Sequence, residues 1–161
     1  ATVRGGPHAA QHQEVDGVLT VHHAERPDDT HRSLLRFALP PDLGQVVRAV
    51  LWLRGHVPNR PDTRADNRAQ TSLTGYGPSA DDWHPSRVTW DTAPQPGPPR
   101  GDGRLTVYDD WVGLEVTAAV REVRTGRLSL TLAQRRPGHR LLLRGRTAAA
   151  DGPLLEVVST P

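Results

Sequence analysis

The 161-residue chain contains no cysteine. That excludes disulfide bridges and thiolate metal sites. It does not fix the compartment, because a domain of this length buries enough surface to fold without cross-links. Lysine is absent too, so all 20 basic residues are arginine. A formal net charge of +2 is a weak general attraction for polyanions. The arginine fork nevertheless grips carboxylates and sulfates through two parallel hydrogen bonds, so the kind of basic residue matters more than the sum. Aromatic residues are only 4% of the chain, which leaves leucine and valine to fill the core. No apolar run is long enough for a membrane span, and no basic-then-apolar start marks an uncleaved signal peptide. A first residue of Ala1 is what a trimmed mature protein or an excised module would show. The chain has no Gly-x-Ser-x-Gly elbow, no His-Glu-x-x-His and no phosphate loop. Its arginines are spread without an aromatic–basic strand pattern, which argues against nucleic acid as a partner.

What is present is alternation. In Arg32–Pro40, Leu35, Phe37 and Leu39 alternate with Arg36 and Ala38. In Gln45–Arg54, Ala49, Leu51 and Leu53 alternate with Val50, Trp52 and Arg54. A period of two sends one set of side chains into a core and the other to the opposite face. The Pro40–Gly44 turn joins the two strands. Further strands are expected at Thr2–Gly6, Gly17–His23, Gln70–Gly77, Arg104–Tyr108, Trp111–Val116, Arg127–Ala133, Arg140–Arg144 and Leu154–Val158. Loops are expected at 7–16, 57–69 and 95–103. One helix is expected over Thr117–Gly126, with Thr117 capping its start, Val116, Val120 and Val123 on one face, and Gly126 ending it. Roughly ten short strands and one short helix give an all-β, antiparallel β-sandwich, most simply a jelly roll, as a single module over residues 1–161.

The ordered set Val3-Arg4-Gly5-Gly6, Arg32–Phe37, Ala49–Leu53, Trp83, Val88–Pro94 and Trp111–Thr117 resembles the DNRLRE domains. These are secreted bacterial jelly-roll modules, some of them related to alginate-binding-type carbohydrate-binding modules. The resemblance spans nearly the whole chain. It implies a secreted, extracellular, non-catalytic carbohydrate-binding module within a larger multidomain protein, where it would target a parent enzyme or surface protein to a polysaccharide. Two other readings stay open. One is a structural or adhesive surface module with no small ligand. The other is a small polysaccharide lyase or hydrolase on the same fold, because carboxylate pairs meet only in space.

Strand alternation turns Trp52 away from Leu51 and Leu53, beside Arg36 and Arg54. An indole face stacks on a pyranose and a guanidinium binds a sugar carboxylate. The expected carbohydrate-binding residues are therefore Trp52, Arg36 and Arg54, with Tyr76 as a further candidate, and the expected ligand is an acidic, uronate-containing polysaccharide. The competing expectation for Trp52 is that the helix or a loop covers it, or that both sheet faces are partly buried. Trp83 and Trp90 are expected to pack at one end of the sandwich with the indole N–H bonded to backbone, and Trp111 to lie in the core or at its rim. The eight histidines are scattered, and neighbours such as His22 and His23 point to opposite faces, so zinc is not expected. No cofactor is required. The turn pairs Asp28-Asp29, Asp81-Asp82 and Asp109-Asp110 admit a structural calcium, although aspartate also favours turns in its own right. Arg100-Gly101-Asp102 spells an adhesion tripeptide, by coincidence in a chain so rich in these residues.

Overall fold

Apolar residues at every second position require two sheets that face each other. The computed structural model, which describes residues 1–13, 17–58 and 69–161, contains them. With strands numbered along the chain, the front sheet runs β1 (Thr2–Arg4), β3 (His31–Ala38), β8 (Arg127–Ala133), β5 (Gln70–Tyr76), β6 (Pro99–Thr106). The back sheet runs β10 (Leu154–Thr160), β4 (Gln45–His56), β9 (Leu141–Arg144), β2 (Val18–Val21), and β7 (Asp110–Glu115) pairs with the opposite edge of β4. Every pairing is antiparallel. The chain switches sheets repeatedly, with β3, β5 and β6 in front and β4 and β7 behind, as in a jelly roll. The described residues form an all-β sandwich with one short α-helix, α1 (Thr117–Glu122).

The alternation of β4 holds over Leu51–His56, but Val50, expected in the outward row, is 4% exposed, and Val47 and Arg48 are both exposed where the pairing with β10 shifts register. Ala49, Leu51 and Leu53 are completely buried between the sheets, whereas Arg48, Trp52, Arg54 and His56 face outward. Opposite them, Leu128, Leu130 and Leu132 of β8 and Leu73 of β5 close the core. Each buried leucine contributes roughly 1.5–3 kcal/mol relative to exposure. Helix α1 seals one end, burying Ala119 and Val120 while Val116 sits beneath it.

Two local expectations need correction. Pro99–Gly103 is strand, not loop. β6 is an edge strand, where proline is tolerated, and its glycine is required by close approach. A Cβ on Gly101 would lie 2.6 Å from the main-chain nitrogen of Glu115. Arg100-Gly101-Asp102 is therefore part of a paired strand rather than a free loop tip. The helix is also shorter than expected and is not capped by Thr117. Its N-cap is Val116, and the Thr117 hydroxyl accepts the Ala49 N–H at 2.8 Å instead. Gly126, at φ +72°, serves the turn into β8 rather than the helix end. Most of the expected loop over 57–69, and residues 14–16 of the first loop, lie outside the described residues.

Candidate functional site on the outer faces of the two sheets

On β8 the outward residues are Ser129 and Thr131, yet both are buried. The reason is the long connection between β5 and β6, residues 77–98, which lies over part of the front sheet. Trp83, Val88, Trp90 and Ala93 from this connection pack on Val3 and Leu34 as a second, smaller core. Trp83 is 7% exposed, and its indole N–H donates to the Ser129 hydroxyl at 3.1 Å, a side-chain partner rather than the expected backbone one. Arg36 braces the same segment. Its guanidinium donates to the carbonyl oxygens of Asp81 and Trp83, both at 2.9 Å, and stacks 4.7 Å from the Trp83 ring centre.

Arg32 shares that face, two turns of the pleat away, but is used differently. Its guanidinium stacks 4.5 Å from the centre of Trp90 and, among the described residues, forms no ion pair and no side-chain hydrogen bond. Burial lowers its pKa from the ordinary value, with Tyr76 acting in the opposite direction. An arginine so shifted still carries its charge at neutral pH. Arg32, Tyr76, His31 and Arg135 line a depression of about 270 Å³. It shares Gln134 and Arg135 with a second trough of about 670 Å³, lined by Ser72, Asp102, Arg104 and Arg136. Gln134 is buried and fully engaged, donating to Thr71 and to the carbonyl of His139 and accepting from the His23 N–H. It fixes the floor between the two hollows. Among the described residues Arg104 and Arg136 make no ion pair, and the carboxylate of Asp102 is met by Arg135 at 3.3 Å and by the Thr74 hydroxyl at 2.6 Å. Unneutralised positive charge therefore collects along this trough.

The back face differs. Trp52 is half-buried, and its ring lies across Gly113 of β7, where a Cβ would come within 2.9 Å of it. Trp111 and Leu154 flank it on the neighbouring strands. Trp111 is 37% exposed, on the outer face rather than in the core. Arg54 is held by two carboxylates: Nη1 donates to Asp151 at 3.0 Å, and Nε lies 3.2 Å from Asp109, in a geometry that leaves its N–H without a hydrogen bond. Arg144 also donates to Asp109, at 2.7 Å, and this hydrogen bond is the main cause that holds the Asp109 carboxyl below its ordinary pKa.

The four residues expected to form one site are thus divided. Trp52 and Arg54 share the back face; Arg36 and Tyr76 belong to the front sheet. Arg36 braces the 77–98 segment through Nη1, and Tyr76 lines the front depression. Period-two alternation says which side of its own sheet a residue takes; it does not say which sheet. Arg32 was legible in part, since it lies four residues before Arg36 on the same face of β3. Arg104, Arg135 and Arg136 carried no local signal.

The turn aspartates serve arginines: Asp29 meets Arg140 at 3.0 Å, Asp81 meets Arg127 at 2.9 Å, and Asp109 meets Arg144. Among the described residues, one group of three metal-ligating side chains converges, His22, Asp29 and His31. Burial is the largest cause lowering the pKa of both imidazoles.

The sandwich thus carries an open, polar, arginine-lined trough on one outer face and the partly exposed indoles of Trp52 and Trp111 on the other. The chain belongs to carbohydrate-binding module family 96, whose model matches residues 1–159. No curated protein matches the chain.

Proposed function

We propose that this carbohydrate-binding module recognises an acidic, uronate-containing polysaccharide along the trough of the front sheet. The observation that carries the reading is Arg32: a guanidinium oriented by Trp90, without a carboxylate partner among the described residues, opening beside Tyr76 and Arg135. A uronate carboxylate supplies the missing partner through a bidentate pair. Arg104 and Arg136, farther along, meet successive carboxylates of an extended chain, and Tyr76 offers a ring edge and a hydroxyl to the sugar. The module acts by binding, without chemistry of its own. It is secreted, and it delivers a parent enzyme or surface protein to its polymer.

Calorimetry with uronate oligomers against neutral glucan oligomers tests this. Binding is expected for the uronates alone. Arg32→Ala should weaken it at least about tenfold, because a hydrogen bond to a charged group contributes about 1.5–3 kcal/mol. Arg104→Ala, at an exposed position without an internal ion pair, should weaken it without altering the melting temperature. Equal binding of both glycan classes, or full affinity in both variants, overturns the reading. Release of shorter products from the polymer by the purified chain would establish the enzymatic alternative.

A second reading has its own observation. The exposed large apolar side chains among the described residues are Val47, Tyr108, Trp111, Leu154 and Val158, all on β4, β7, β10 or the turn before β7. Of these, Trp111 and Leu154 neighbour Trp52 across β7 and β10, and the three offer a stacking surface for a neutral sugar face. Loss of glycan affinity in Trp52→Ala and Trp111→Ala, with Arg32→Ala unaffected, would select it.

A further inference from the structure

We propose that His22, Asp29 and His31 form a binding site for a transition-metal dication of the zinc class. The site arises from register. His22 and His31 are a directly opposed antiparallel pair, each N–H donating to the other's carbonyl, at 3.1 and 2.7 Å. Directly opposed residues put their side chains on the same face with Cβ atoms about 4.5–5.5 Å apart. The connection between them folds through a 3₁₀ turn at Pro27–Asp29, which brings Asp29 back over the pair. One ligand atom from each of the three residues lies within 4.8 Å of the other two.

The surroundings suit a metal. The Nδ1 atoms of both histidines stand 3.0 Å from a single acceptor, the main-chain carbonyl of Asp29, so both rings are already oriented by the turn that carries the carboxylate. Oδ1 of Asp29 is held by Arg140 at 3.0 Å, with Arg4 at 3.7 Å. Ligating carboxylates are commonly fixed in this way by an outer partner. Oδ2 lies 3.7 Å from Nδ1 of His22, so a metal held between them would replace that nitrogen's contact with the Asp29 carbonyl. Two imidazoles and one carboxylate are a zinc donor set with one position left open, whereas calcium and magnesium prefer oxygen alone. Tetrahedral zinc with bonds of about 2 Å needs its ligand atoms drawn closer than 4.8 Å, a small contraction that side-chain rotation supplies. Bound metal would tie the Pro27–Asp29 turn to the facing ends of β2 and β3, at the rim of the hollow that His22 and His31 line.

The test uses the metal alone, without glycan, so that its outcome is independent of the polysaccharide reading. The metal-free chain is titrated with Zn²⁺ by calorimetry and with Co²⁺ by visible absorption. We expect one zinc per chain, a raised melting temperature and the intense bands of tetrahedral cobalt. His22→Ala and His31→Ala should each lose more than the roughly 10–100-fold in affinity that removal of an outer partner costs. Asp29→Asn, which keeps the shape and the main-chain carbonyl, should weaken binding while leaving the circular dichroism spectrum unchanged. His8→Ala with His12→Ala should leave binding intact. No saturable binding, octahedral cobalt spectra, or undiminished affinity in Asp29→Asn and in the doubly substituted His22→Ala/His31→Ala chain would overturn the proposal. Should the histidine variants fail to fold, the cobalt spectrum and Asp29→Asn decide the matter.

Discussion

The two outer faces of this sandwich are built from the same alternating strands and present opposite chemistry. On the front, the segment 77–98 covers one end of the sheet with Trp83 and Trp90 and leaves the remainder as a trough. Trp83 and Trp90 are consumed in packing, and among the described residues Arg32, Arg104 and Arg136 make no ion pair, whereas Arg100, Arg127 and Arg135 are paired with Glu122, Asp81 and Asp102. On the back, no comparable segment among the described residues covers β4, β7 and β10. There the indoles of Trp52 and Trp111 reach the surface, while Arg54 and Arg144 are tied to Asp109 and Asp151. An aromatic residue on a binding module is therefore no guide to its site by itself. What matters is which polar groups the fold has left unsatisfied.

The contrast is sharpest in stability. Trp83→Ala removes the centre of the front covering and should cost about 3–5 kcal/mol, whereas Trp111→Ala, 37% exposed on the back face, should cost clearly less, about 1–2 kcal/mol. Urea unfolding of the two variants checks this, and equal losses would mean that the faces are not organised as described. The next largest effect concerns charge. If the front trough binds uronates through unpaired guanidinium groups, affinity should fall several-fold between low salt and roughly 0.5 M salt. A salt-independent constant would point to the aromatic patch instead. The smallest effect is a pH dependence on the back face. Asp109 has a folded-state pKa below its ordinary value, chiefly through the hydrogen bond from Arg144. Its contribution is present above the ordinary carboxylate value and is lost as pH falls through the lower folded one. The melting temperatures of the chain and of Asp109→Asn should therefore differ slightly at neutral pH and converge in strong acid.

Much of this architecture could be read from residue order, and the reasons are specific. Ala49, Leu51 and Leu53 repeat with a strict period, which identifies β4 and its inward row, although Val50 of the outward row is covered. The start of β6 at Pro99 was hidden because proline and glycine usually mark loops, and only the close passage of β7 explains them there. Site assembly was less legible. Arg36 and Trp52 both face outward, but from different sheets, and no local pattern distinguishes the two outsides. The His22–His31 pair depends on a register set by β2 and β3 together, and the covering segment that consumes Trp83 is a tertiary event with no periodicity of its own.

The most direct test of the front-face assignment follows the four tryptophan indole N–H signals by NMR during titration with a uronate oligomer. Trp90, stacked on Arg32, should shift with the ligand and saturate with the calorimetric affinity, while Trp52 and Trp111 stay in place. Movement of the Trp52 and Trp111 signals, with Trp90 unmoved, would contradict the account and transfer the binding site to the back of the sandwich.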